Sequence, residues 1–174
     1  MNKLHLYWGS GKGKTTAAMG MAVRALGHDR RVLIAQFMKS GTSGELAVLC
    51  RFANAVVYPS VPVSGFVSRM SPDEKQQVCA EQTRMASALA ETILSTRPEM
   101  IILDELAIAW QRGIVEEQTA IALVAAALIS GETVVTGRDA PDWLKAHADY
   151  ISRVDAQRHP YETEGLKARE GVEW

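Results

Sequence analysis

The segment Gly9-Ser10-Gly11-Lys12-Gly13-Lys14-Thr15-Thr16 constrains this chain more than any other. It follows a short apolar run, Leu4 to Trp8, and opens into the small residues Ala17-Ala18-Met19-Gly20-Met21-Ala22-Val23, which read as a helix. A strand, a glycine-rich loop and then Gly-Lys-Thr at a helix start is the context of a P-loop. Glycines let backbone N–H groups turn inward around phosphate oxygens, and the helix N-terminus adds positive potential. Lys14 supplies a point charge, and the Thr15 hydroxyl is placed to ligate Mg²⁺. The usual G-x-x-x-x-G-K-[ST] spacing puts glycine at position 8, where this chain has Trp8. The loop is therefore a variant, with Gly9 one position late and an extra Lys12 inside it.

A phosphate loop needs a sheet behind it. Short β-rich runs alternate with helical stretches: Leu4 to Trp8, Arg31 to Phe37, Ala55 to Tyr58, Met100 to Leu103, Thr133 to Thr136 and Tyr150 to Val154. That alternation predicts an α/β fold of the P-loop NTPase (RecA-like) kind, with a mostly parallel central sheet and helices on both faces. The runs Val32-Leu33-Ile34-Ala35 and Met100-Ile101-Ile102-Leu103 carry no polar alternation, so both are expected as central strands buried on two sides. Ser71, Pro72 and Glu74 form a capping-box signature for a long helix that Pro98 stops. A second helix, over 115–130, is apolar nearly all round and is expected to pack on more than one neighbour. At roughly 150 residues per domain, the 174 residues predict a single domain spanning 1–174.

Charge narrows the partners. With 19 Lys+Arg against 20 Asp+Glu the net charge is -1, so no overall field attracts a polyanion, and nucleic acid is not expected as a partner. No run of 18 apolar residues occurs, the first residues show no signal-peptide pattern, and no membrane association is expected. A cytoplasmic location follows as the expectation. Cys50 and Cys79 have neither CxxC spacing nor a neighbouring histidine, and both are read as reduced core residues.

Two further segments point at the same sheet edge as the P-loop. The apolar strand ending Leu103-Asp104-Glu105 places carboxylates where ligands bind in parallel α/β sheets, and an acid there holds Mg²⁺ directly or through water. Thr136-Gly137-Arg138 ends a later strand, and Arg138 is placed to clamp a phosphate. Between Pro59 and Met70 a stretch with two prolines and a glycine shows no periodicity, and Phe66 in it stands out as a bulky apolar group in a binding loop.

Taken in order, these segments resemble the P-loop ATP:corrinoid adenosyltransferases. GSGKGKTTAA, over 9–18, resembles that family's variant loop, with the late glycine and the extra lysine. Gln36-Phe37-Met38-Lys39 resembles its QF-h-K, Gly44-Glu45 its GE, Leu103-Asp104-Glu105-Leu106 its LDEL, and Thr136-Gly137-Arg138 its TGR. His159-Pro160-Tyr161 and the closing stretch 165–174 resemble its C-terminal pattern. In Gly65-Phe66-Val67-Ser68 the chain departs from the family's G-F-T-W, with Ser68 where the tryptophan stands.

The resemblance implies transfer of the 5′-deoxyadenosyl group of ATP to the cobalt of a reduced corrinoid, with triphosphate released. It implies ATP and a corrinoid as substrates, Mg²⁺, a homodimer, and a flavoprotein as reductant. Residues 9–16 (Gly9, Ser10, Gly11, Lys12, Gly13, Lys14, Thr15, Thr16) would hold the phosphates. Lys14, Thr15, Glu105 and Arg138 would serve catalysis, Thr15, Asp104 and Glu105 the metal, and Lys39, Glu45 and Phe66 the corrinoid. Cobalt(I) is already electron-rich, so no general base is required, and these motifs contain no His–acid or Ser–His pair. Two other readings stay open on the residues alone: a binding-only corrinoid or nucleotide paralogue, and a P-loop ATPase or kinase. The products separate them, since triphosphate means adenosyl transfer and ADP means phosphoryl chemistry.

Overall fold

A computed structural model describes residues 1–39, 43–63 and 69–172. Among these residues six strands form one parallel sheet: β1 (Leu4–Trp8), β2 (Val32–Gln36), β3 (Ala55–Val57), β4 (Met100–Asp104), β5 (Glu132–Gly137) and β6 (Tyr150–Arg153), in the order β3-β2-β4-β5-β1-β6. The six expected strands are all present, and the α/β expectation holds. Among the described residues seven helices connect and flank them: α1 (Lys14–Leu26), α2 (Gly44–Leu49), α3 (Pro72–Thr96), α4 (Leu106–Gln111), α5 (Glu117–Ser130), α6 (Asp142–His147) and α7 (Pro160–Glu164).

Side-chain alternation along each strand divides the core in two. Val32, Ile34, Ile102 and Val134 point toward α1 and α2 and meet Ala18, Met19, Ala22, Leu46 and Leu49. Their neighbours Leu33, Ala35, Ile101, Leu103 and Val135 point the other way, into Met85, Leu89 and Ile93 of α3 and Leu123, Val124 and Ala127 of α5. Helices therefore cover both faces. Every residue of β2 is buried, as its unbroken apolar run predicts.

α3 starts as its sequence reads. Ser71 accepts the Glu74 N–H, and the Glu74 carboxylate accepts the Ser71 N–H at 2.8 Å. Arg97, in the left-handed region at φ 50°, ends the helix ahead of Pro98. α5 does pack on several neighbours, α3, α4 and β5, through its alanine-rich side. Its opposite side reaches water, with Ile129 at 64% exposure. One expectation fails in part: both thiols are free, but Cys50 is exposed at the end of α2, while Cys79 is partly buried and packs against the core. Small helices such as α2 leave little apolar stripe beyond Leu46 and Leu49, which is why position 50 faces outward.

The strand order fixes the site. β5 lies between β1, which carries the P-loop, and β4, which carries the acids. Residues at the carboxyl end of β5 therefore stand between loop and carboxylate.

Candidate active site

The P-loop is clamped from both sides of β1. Gly9 donates its N–H to the Gly137 carbonyl at the end of β5, and Gly11 donates to the Val154 carbonyl just beyond β6, at 2.7 Å. The glycines are required here by close approach. A Cβ on Gly9 would run into the Val154 carbonyl, and one on Gly11 would lie 2.8 Å from the Asp155 carbonyl carbon. Gly13, at φ 108°, caps α1 from the left-handed side with open space around it.

Lys14 begins α1, is 9% exposed, and folds back so that Nζ donates to the Gly11 carbonyl at 2.7 Å. Burial holds its pKa below the usual lysine value, with Glu105 pulling it back up. An ammonium desolvated this way gains most from an anionic partner. Ser10, Lys12 and Thr16 lie on the exposed side of the loop, and Thr15 is half-buried.

Asp104 is the hub. It is fully buried, and four donors converge on its carboxylate. Oδ1 accepts from Thr15 Oγ1 at 2.9 Å and Thr136 Oγ1 at 2.6 Å. Oδ2 accepts from Gln36 Nε2 at 2.9 Å and Lys39 Nζ at 2.6 Å. Lys39 Nζ also reaches Thr15 Oγ1 at 3.2 Å. Thr15 and Asp104, 89 residues apart in sequence, thus share a direct bond, and both offer hard oxygens of the kind Mg²⁺ prefers. The donor set fits that ion.

Glu105 follows in a left-handed conformation, φ 61°, as N-cap of α4. Its N–H is held by the Thr136 hydroxyl at 2.9 Å. Such a backbone in a residue other than glycine persists only where its surroundings fix it, and the carboxylate lies within electrostatic reach of Lys39 and Lys14. Burial, and then the neighbouring Asp104, push the Glu105 pKa up; Lys39, Lys14 and Arg138 act against that. Arg138 is exposed just past β5, within electrostatic reach of both Lys14 and Glu105.

The structure thus brings together Lys14, Thr15, Lys39, Asp104 and Glu105. Lys39, expected on the corrinoid side, sits on Asp104 and Thr15. Glu45 is half-buried in the first turn of α2. Phe66 lies outside the described residues, as do Gly65 and Ser68. Sequence reasoning passed over Gln36 and Thr136, although both stood inside quoted motifs, at strand ends beside residues that were picked. A His–acid pair does exist, His5 Nε2 to Glu132 Oε1 at 2.7 Å, but Glu132 begins β5, at the edge of the sheet opposite the loop.

A parallel sheet with this loop, a buried acid across one intervening strand and a lysine folded into the loop define a P-loop nucleotide-binding protein. The comparisons narrow the class. Residues 1–174 match the family described as "ATP:corrinoid adenosyltransferase BtuR/CobO/CobP". A protein of Pseudomonas aeruginosa named corrinoid adenosyltransferase is 33% identical over 172 residues, covering 98% of this chain and 83% of that one. The corrinoid adenosyltransferase CobA of Salmonella typhimurium is 30% identical over 173 residues, 97% and 84% of the two chains. One from Escherichia coli K12 is 29% identical over 173 residues, with the same shares. The chain belongs to the ATP:corrinoid adenosyltransferase family, and it is an enzyme of the transferase class.

Proposed function

We propose that this chain moves the 5′-deoxyadenosyl group of ATP onto the cobalt(I) of a reduced corrinoid. The cobalt electron pair attacks C5′, the C5′–O bond breaks, and triphosphate leaves with the electrons of that bond. The observation that carries this reading is the direct bond between Thr15 at the start of α1 and the buried Asp104, next to an inward-folded Lys14. Such an edge is built to hold a polyphosphate.

The chain's own tasks are positioning and charge. Backbone N–H groups of the loop 9–16 and the ammonium of Lys14 hold the triphosphate, which the reaction turns into a leaving group. Lys12, Lys14, Lys39 and Arg138 bring four positive charges to this edge against the two of Asp104 and Glu105. The excess of two positive charges opposes the phosphate charge. Thr15 and Asp104, with Glu105 beside them, would hold Mg²⁺, whose contribution when bound is to neutralise phosphate oxygens. Nothing in the reaction removes a proton from cobalt(I), so the remote His5–Glu132 pair has no part in it.

The corrinoid side rests on the family resemblance: Glu45 and Phe66 are proposed to face that substrate. A homodimer, a flavoprotein reductant, a cytoplasmic location and a single functional unit over 1–174 belong to the same proposal. Among the described residues no helix is long and apolar enough to cross a membrane. The test is anaerobic incubation with ATP, Mg²⁺ and chemically reduced corrinoid. The expected result is the absorbance change of a cobalt–carbon bond and one triphosphate per adenosyl group; ADP as product would overturn the reading.

A further inference from the structure

Asp104 has no acceptor position to spare. A carboxylate offers about four lone-pair sites, and Thr15, Thr136, Gln36 and Lys39 donate four hydrogen bonds to it. A metal ion, or a water on that ion, needs one of those sites, so one donor has to leave. Thr136 and Gln36 are fixed at strand ends, 0% and 2% exposed. Thr15 is itself an oxygen ligand for the same ion. The Lys39 side chain is 30% exposed, unbranched and flexible, and Met38 at φ 56° turns the chain so that it points back to Asp104. Its ammonium also bonds the Thr15 hydroxyl. It therefore stands between the two oxygens that a divalent cation would share, as a cation of lower charge.

We propose that Lys39 is a positioning residue: it holds the Thr15–Asp104 pair as an internal counter-ion in the metal-free protein, and yields that place to the divalent ion arriving with ATP. The inference rests on reading Thr15 and Asp104 as the Mg²⁺ site. Two cations cannot share one carboxylate at close range without strong repulsion. Free Mg²⁺ must break an existing ion pair on a buried carboxylate and strand the ammonium, so it binds poorly alone. Mg²⁺ with ATP brings phosphate oxygens that accept the released ammonium. Metal and nucleotide are thereby coupled, each favouring the other.

The test uses thermal melting of wild type, Lys39→Met and Lys39→Gln, without corrinoid, in matched ionic strength. Without divalent ions Lys39→Met should melt roughly 5–15 °C lower, because Asp104 loses its charge partner. Adding Mg²⁺ alone, at about 10 mM, should recover much of that loss while moving wild type by less than about 1 °C. Should Lys39→Met not fold, Lys39→Gln carries the comparison, since its amide still donates to Asp104 and its response to Mg²⁺ must exceed that of wild type. A Mg²⁺ response in the variants no larger than in wild type would overturn the proposal while leaving the metal site intact. Equal stabilisation of wild type and Asp104→Asn by Mg²⁺ with ATP would instead remove the metal from this pair, and the proposal with it.

Discussion

The Thr136 hydroxyl donates to Asp104 Oδ1 at 2.6 Å and accepts the Glu105 N–H at 2.9 Å, so one side chain at the end of β5 fixes two consecutive acids, the last residue of β4 and the N-cap of α4. Thr136→Val keeps the shape and removes both bonds. Leaving buried polar groups unpaired costs about 1–3 kcal/mol, which urea unfolding will read. Asp104 keeps three donors, so the fold should survive while the Mg²⁺ requirement for turnover rises. Wild-type stability in this variant would mean that neither bond matters.

Lys14→Met removes the ammonium and keeps most of the apolar stem. ATP binding, measured calorimetrically without corrinoid, should weaken at least about 30-fold, taking about 2 kcal/mol as the low figure for truncating one partner of a buried charge pair. Unchanged affinity would place the triphosphate elsewhere.

Gly9 and Gly13 both have positive φ, yet for different reasons. Gly13 has open space around it, so Gly13→Ala pays only the left-handed strain of about 1–2 kcal/mol. Gly9→Ala adds a collision with the Val154 carbonyl, part of a backbone whose Val154 N–H donates to the Trp8 carbonyl and which cannot yield cheaply. The second variant should lose clearly more stability than the first; equal losses would show that β6 gives way.

Thr15, Lys14 and Asp104 were legible because each sits at the end of a strand or the start of a helix, where local pattern and motif coincide. The buried runs of β2 and β4 were legible for a similar reason. Lys39 was not, since its place depends on the positive φ of Met38, which the segment Gln36-Phe37-Met38-Lys39 does not announce. The backing of Gly9 and Gly11 by Val154 and Asp155 was also hidden, because strand order is a tertiary outcome that no local pattern encodes. Trp8 was noticed only as a missing glycine. In the structure Lys145 lies 4.7 Å and Arg153 5.1 Å from the centre of its ring, so this bulk is held by cations from α6 and β6.

On the corrinoid side, Phe66→Ala should slow adenosylation most when a protein donor must reduce the cobalt, and least when cobalt(I) is supplied chemically. By the family resemblance this aromatic would sit beneath the corrin and favour loss of the lower ligand, and cobalt(I) has already lost that ligand. Equal rate losses under both reductants would take Phe66 out of the corrinoid site.

Glu105 gives the pH dependence a definite sign. Its pKa in the folded chain is raised above the ordinary 4.5, first by burial and then by Asp104. The folded state therefore holds this proton more tightly than the unfolded chain does. Its stabilising effect is full below the unfolded pKa and is lost as pH rises through the folded value. Once ionised, the group is a burden that the fold carries for the site. Glu105→Gln should therefore melt close to wild type below pH 4.5 and increasingly above it as the pH rises past that value. Turnover should move the other way, falling and demanding more Mg²⁺ if the carboxylate orders the metal. A melting difference that stays constant across the pH range would show that Glu105 ionises as readily in the folded protein as in the unfolded chain, and that its burial beside Asp104 carries no electrostatic cost.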